Sequence, residues 1–167
     1  SEALISARVA KGRATAEQKD ALLSRIKATA DYADLKGCDL VVEAVFEDRG
    51  VKAETTKKAQ AVLGADVVFA SNTSTLPITS LASEAQKPEN FIGIHFFSPV
   101  DKMMLVEIIM GEKTGDKALA TALDFVRLIK KTPIVVNDTR GFFANRCVGR
   151  YVAEGHLMLM EGVPPAM

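Results

Sequence analysis

Neither sign of charge predominates in this sequence of 167 residues. Its 21 Lys and Arg are matched by 21 Asp and Glu, for a formal net charge of zero. That balance excludes the basic excess with which general nucleic-acid or anionic-membrane binders neutralise phosphates, so no nucleic-acid partner is expected. No apolar run approaches the roughly 18 residues that a membrane-spanning helix needs. Cysteine is scarce. Cys38 and Cys147 are far apart and match no metal-ligand spacing, which reads as two reduced thiols of an intracellular protein and no metal site. The opening SEALISARVAKGR has no initiator Met and no signal-peptide pattern, and the closing GVPPAM carries no terminating element. Both ends lead to the expectation of a fragment cut from a longer protein.

What is present is 48% hydrophobic, enough for a core, in a length suited to one domain or one domain plus a piece of a second. Helical spacing is expected over residues 3–10 and 16–26, the latter opened by Thr15 and Gln18 as a capping box and carrying Leu22, Leu23 and Ile26. Arg8, Lys11 and Arg13 between them read as a solvated basic face. Residues 28–33 suggest a short strand. Residues 39–46, DLVVEAVF, read more firmly as a strand of a parallel sheet, interrupted by Glu43. Residues 49–63 read as a helix closed by Gly64, 65–70 as a strand, 77–83 as a short helix, 116–130 as a helix, 132–136 as a strand and 142–160 as a long helix. No internal repeat or low-complexity stretch occurs.

Strands alternating with such helices imply βαβ crossovers and a doubly wound, mostly parallel α/β sheet. Sheets of this kind bind ligands beyond the C-terminal ends of their strands. Ser71-Asn72-Thr73-Ser74 and Glu47 fall at such ends, where hydroxyls and amides can bond a ribose or a substrate oxygen; the same residues also suit a loop or a helix cap. Residues 91–97 and 103–109 form two further β-runs joined by a proline-containing turn. Each is apolar except for one titratable residue, His95 in the first and Glu107 in the second. A buried ionisable group needs a partner. An imidazole and a carboxylate on neighbouring strands make one, the carboxylate fixing the tautomer and raising the basicity of the ring. The glycine-rich turn GxGxxG, which usually announces a dinucleotide-binding fold, occurs nowhere.

The motifs DLVVEAVFED, FASNTSTLPIT, IGIHFFSPVDKMMLVEII and NDTRGFFANR, in that order, resemble the NAD-binding part of the 3-hydroxyacyl-CoA dehydrogenases. SNTSTLPIT, HFFSPVDKM and EGVPPA are most similar to the dehydrogenase portion of bacterial multifunctional fatty-oxidation proteins. The resemblance implies a Rossmann-like fold lacking its first strand and glycine turn, with residues 1–139 a partial NAD-binding domain and 140–167 the start of a helical domain. It implies oxidation of an (S)-3-hydroxyacyl-CoA to a 3-oxoacyl-CoA with NAD in fatty-acid β-oxidation. His95 then matches the catalytic base, Glu107 its acidic partner, Ser74 the serine bonding the reacting oxygen and Asn145 the asparagine completing the site. Ala44, Glu47, Lys52, Ser74 and Ser98 fall at cofactor contacts. Ser98 replaces a common Asn, which implies an altered contact, and Met104 a common Pro, which implies a looser turn before Glu107. A bacterial cytoplasmic protein is implied, as are an oligomer and a complex with a thiolase. The chain by itself is expected to be folded but inactive, because the turn that seats the pyrophosphate is missing.

Overall fold

The computed structural model describes residues 1–166, and contacts divide the chain into one unit of Ser1–Asp34 and a second beginning at Leu35. The first unit holds helices α1 (Glu2–Ala10) and α2 (Ala16–Leu23). The capping box at the start of α2 is present in full: Gln18 N–H donates to the Thr15 hydroxyl at 3.2 Å, and Thr15 N–H to the Gln18 side chain at 3.0 Å. The helix stops short of Ile26, and none of its residues is buried. The strand expected over residues 28–33 does not form. Asp31 N–H bonds the Thr29 hydroxyl and Ala33 N–H bonds the Asp31 carboxylate, and these local turns lead into a 3-10 turn at Tyr32–Leu35. Side chains that satisfy nearby backbone donors remove the incentive to pair as a strand.

The second unit is an α/β sheet of five strands, β1 (Leu40–Glu43), β2 (Val68–Ser71), β3 (Phe91–Phe96), β4 (Leu105–Met110) and β5 (Thr132–Asn137), in that spatial order. Three of the four pairings are parallel; β3 and β4 alone are antiparallel. Helix α3 (Arg49–Gln60) connects β1 to β2, α4 (Ile78–Ala82) lies between β2 and β3, α5 (Asp116–Leu128) joins β4 to β5, and α6 (Ala144–Met160) follows β5. The parallel crossovers expected from the strand–helix alternation are therefore observed. Strand β1 has a partner on one side only, and β5 is the other edge, where Pro133 is tolerated because an edge strand has spare donors.

Period-2 alternation assigns the two faces. Ile92 and Ile94 of β3, with Val106 and Ile108 of β4, pack on Ala118, Ala122 and Val126, the i, i+4, i+8 stripe of α5. Gly93 and His95 point to the opposite face, where α4 sits. A Cβ on Gly93 would lie 2.8 Å from Ile78 Cδ1 and 2.9 Å from Ile109 Cβ. Only glycine allows α4 to approach the sheet that closely. Gly93→Ala is expected to lower stability by about 1–3 kcal/mol through overpacking, read from the urea midpoint at constant m-value.

Candidate functional site

Strands β1, β2 and β3 run parallel, so their C-terminal ends open on the same edge of the sheet. Ala44 to Glu47 leave β1 there, residues 72–75 leave β2, and Phe97 and Ser98 leave β3. Ala44, Glu47, Ser74 and Ser98 are exposed, as a ligand-facing rim requires.

His95 and Glu107 lie directly opposite each other in the antiparallel β3–β4 register. Their side chains share the α4 face, and His95 Nδ1 is 2.8 Å from Glu107 Oε2. His95 is 4% exposed and Glu107 fully buried. An ionised carboxylate only accepts, so Nδ1 carries the proton it donates and the neutral ring leaves Nε2 as a bare acceptor. Among the described residues Nε2 has no hydrogen-bond partner, yet no fully buried side-chain nitrogen or oxygen lacks one, so Nε2 is the ring nitrogen that keeps some exposure. The rings of Phe97 and Phe142 flank the imidazole, with centroids at 4.4 and 5.9 Å.

Glu107 has a second role that the strand pattern did not suggest. Its other oxygen, Oε1, accepts the backbone N–H groups of Phe143 at 3.0 Å and Ala144 at 2.7 Å, at the start of α6. Helix starts carry unpaired N–H groups and a positive dipole end, which suit a carboxylate. The chain reaches that position through two left-handed residues, Gly141 at φ 75° and Phe142 at φ 51°. Phe142 is 1% exposed, so burial of its ring offsets a backbone conformation that a bulky residue seldom adopts.

Asn145 follows on the first turn of α6 and donates its side-chain N–H to the Ser74 carbonyl at 2.9 Å. Ser74 sits in a turn held by Glu47. One oxygen of that carboxylate accepts the Thr73 hydroxyl at 2.7 Å, Ser74 N–H at 2.8 Å and Thr75 N–H at 3.1 Å. The Ser74 hydroxyl itself has no partner among the described residues. Burial pushes the Glu47 carboxyl up, but those hydrogen bonds and the nearby Lys52 charge together hold it below its ordinary value of 4.5. A carboxyl with a lowered folded-state pKa contributes its stability above the unfolded value; that contribution is lost as pH falls through the folded one. The Ser74 turn is thus expected to keep its amide protection from neutral pH down to about 4.5 and to lose it only in more acid solution, as hydrogen exchange would show.

Sequence reasoning missed three supports. Glu43, read as an interruption of its strand, is a buried acceptor for Lys52 and Ser71. The signal was available, since it is a lone acid in an apolar run like Glu107. Asp138 accepts Ile78 N–H and Thr79 N–H, both at 2.8 Å, and so caps α4. Asn72 accepts Phe96 N–H at 2.9 Å, tying the end of β2 to the end of β3. The turn before Glu107 is held as well: Lys131 donates to the carbonyls of Val100 and Met103, and Met104 C=O accepts Thr132 N–H at 2.9 Å.

The family model described as 3-hydroxyacyl-CoA dehydrogenase, NAD binding domain, matches residues 1–139. The chain belongs to the 3-hydroxyacyl-CoA dehydrogenase family. Among curated relatives, the fatty acid oxidation complex subunit alpha of Shewanella amazonensis is 46% identical over 148 residues, which cover 89% of this chain and 21% of that protein. Among solved structures, the (S)-3-hydroxybutyryl-CoA dehydrogenase of Ralstonia eutropha superposes with a TM-score of 0.92 at 36% identity, covering 97% of this chain and 57% of that one. The 3-hydroxybutyryl-CoA dehydrogenase of Escherichia coli gives 0.92 at 32% identity, over 98% and 34%. The chain thus spans about a fifth of the length of the curated relative. No helix among the described residues of this family member is long and apolar enough to cross a membrane.

Proposed function

We propose that this chain supplies the catalytic residues and the nicotinamide side of a 3-hydroxyacyl-CoA dehydrogenase acting in fatty-acid oxidation. The observation that carries the proposal is the buried His95–Glu107 pair near the C-terminal end of β3, the sheet edge at which the Ser74 turn leaves β2 and where Asn145 bonds the Ser74 carbonyl. In this reading Nε2 takes the hydroxyl proton of an (S)-3-hydroxyacyl-CoA while the same carbon gives up hydride and becomes the 3-oxo carbon. Glu107 holds Nδ1–H in place and stabilises the imidazolium that forms. Ser74 donates its free hydroxyl to the reacting oxygen, and Asn145 fixes the Ser74 backbone.

The residues present fit one end of NAD. The exposed Ala44–Glu47 and Ser98 rim, at the ends of parallel strands, suits a nicotinamide ribose. NAD, when bound, supplies the hydride acceptor. The absence of a GxGxxG turn favours a second reading for the chain by itself, that it folds without turning over. Residues 1–139 are then the cofactor-binding part, and 140–167 begin a substrate-closing helical part. Self-association belongs to the same proposal, supported by edge strand β1 and by the exposed Val148, Tyr151, Val152 and Leu157 of α6. So do a cytoplasmic location and a complex with a thiolase, supported by relatives named as subunits of a fatty acid oxidation complex.

Calorimetric titration with NADH and then acetoacetyl-CoA tests the reading. Micromolar NADH binding is the expected result for a competent nicotinamide site. Absence of binding to either ligand would confine the chemistry to the full-length protein.

A further inference from the structure

Among the described residues the His95 ring makes one hydrogen bond, to Glu107, and two ring contacts, to Phe97 and Phe142. When Nε2 takes the substrate proton, the imidazole becomes a cation in a place that water barely reaches, and an unanswered buried charge is costly. Glu107 answers it at Nδ1 only, because its Oε1 is committed to the N–H groups of Phe143 and Ala144. Those groups form the positive end of α6, so the cation arises beside a dipole that disfavours it. The neighbouring elements bring no further anion to the ring. β3 is otherwise apolar and α4 carries no titratable residue. Asp138 is committed to the start of α4, and Arg146 to the Thr139 hydroxyl.

The two aromatic rings remain. The Phe97 centroid lies 4.4 Å from that of His95, with the planes tilted by 51°, and the Phe142 centroid 5.9 Å away, tilted by 57°. Both distances fall within the about 6 Å over which an aromatic ring attracts a cation, and the attraction grows when the cation is desolvated. Only the charged imidazole feels it in full, so the rings favour the protonated form over the neutral one. Phe142 is buried and left-handed, at the start of α6. Phe97 is half-buried at the end of β3, which makes it the ring that can be exchanged without disturbing the helix start.

We propose that Phe97 is a positioning residue that acts through His95: its ring, seconded by Phe142, stabilises the imidazolium formed as Nε2 takes the proton, and so offsets the opposing positive end of α6. This rests on the reading of His95 as the base. Glu107 then sets the tautomer, and the aromatic pair tunes how strongly the ring holds the proton it has taken.

The test compares Phe97→Leu, which keeps an apolar side chain without a π face, with Phe97→Tyr, which keeps the ring. Imidazole NMR signals of this chain are followed against pH, with the exposed His156 as internal reference. Phe97→Leu is expected to move the protonation midpoint of His95 to lower pH by about half to one and a half pH units, leaving His156 in place. Phe97→Tyr is expected to stay close to the unmodified chain. In the full-length protein the acid limb of the kcat/KM profile is expected to move in the same direction and by a similar amount in Phe97→Leu. This limb decides the matter where His95 does not titrate within the folded range of the chain. If Phe97→Leu does not fold, Phe97→Met takes its place, with the same displacement expected. An unmoved midpoint and limb in a folded variant overturn the proposal. So does an equal displacement in Phe97→Leu and Phe97→Tyr, which would make the effect one of packing. The NMR titration needs no cofactor, so a chain that binds no NADH fails the functional reading while the effect of Phe97 on His95 is still decided.

Discussion

His95→Asn is expected to lower NAD reduction by the full-length protein by about 10²–10⁴-fold while leaving the fold in place. The Asn side-chain N–H takes the place of Nδ1–H toward Glu107 Oε2, so the buried carboxylate keeps a donor. What disappears is a titratable acceptor at the position of Nε2. Steady-state kinetics with a short (S)-3-hydroxyacyl-CoA, together with urea unfolding, separates the two effects. A loss smaller than about tenfold with an unchanged unfolding midpoint would remove His95 from the role of base.

Glu107→Ala is expected to have the largest effect on stability, a loss of about 3–5 kcal/mol by urea denaturation. Three donors lose their acceptor at once: His95 Nδ1–H and the backbone N–H groups of Phe143 and Ala144. All three sit in or beside the buried face of β4, where unsatisfied donors are costly. Glu107→Gln separates the two functions of the side chain. Its amide oxygen can still cap α6, so most of the stability is expected to remain. Its NH2 group then faces His95 Nδ1 as a donor, which favours the ring tautomer bearing hydrogen on Nε2. A ring in that tautomer is no base toward a substrate hydroxyl, and the expected result is a loss of about 10²-fold or more with a changed pH profile. Equal stability of Glu107→Ala and the unmodified chain, or an unaltered profile in Glu107→Gln, would refute the dual role.

Both predictions rest on residues that the sequence already singled out, and the reason is physical. A strand buried on both faces has room for few ionisable groups, so each exception stands out against its run. His95 and Glu107 were legible in that way, as were the capping box at Thr15 and the parallel crossovers. The same logic applied evenly would have flagged Glu43, with Lys52 nine residues on as its partner.

The sequence by itself determined the kinds of element and which residues needed partners, because local periodicity and the penalty for burying charge act within a few residues. Only the tertiary structure decided who those partners are. Asn145 and Ser74 are 71 residues apart, Glu107 and Ala144 37, and Glu43 and Ser71 28. Nothing in a local pattern encodes the register that brings such residues together. It follows from how the sheet twists its strands into neighbours, how closely Gly93 admits α4, and how the left-handed pair Gly141–Phe142 aims the first turn of α6 at Glu107.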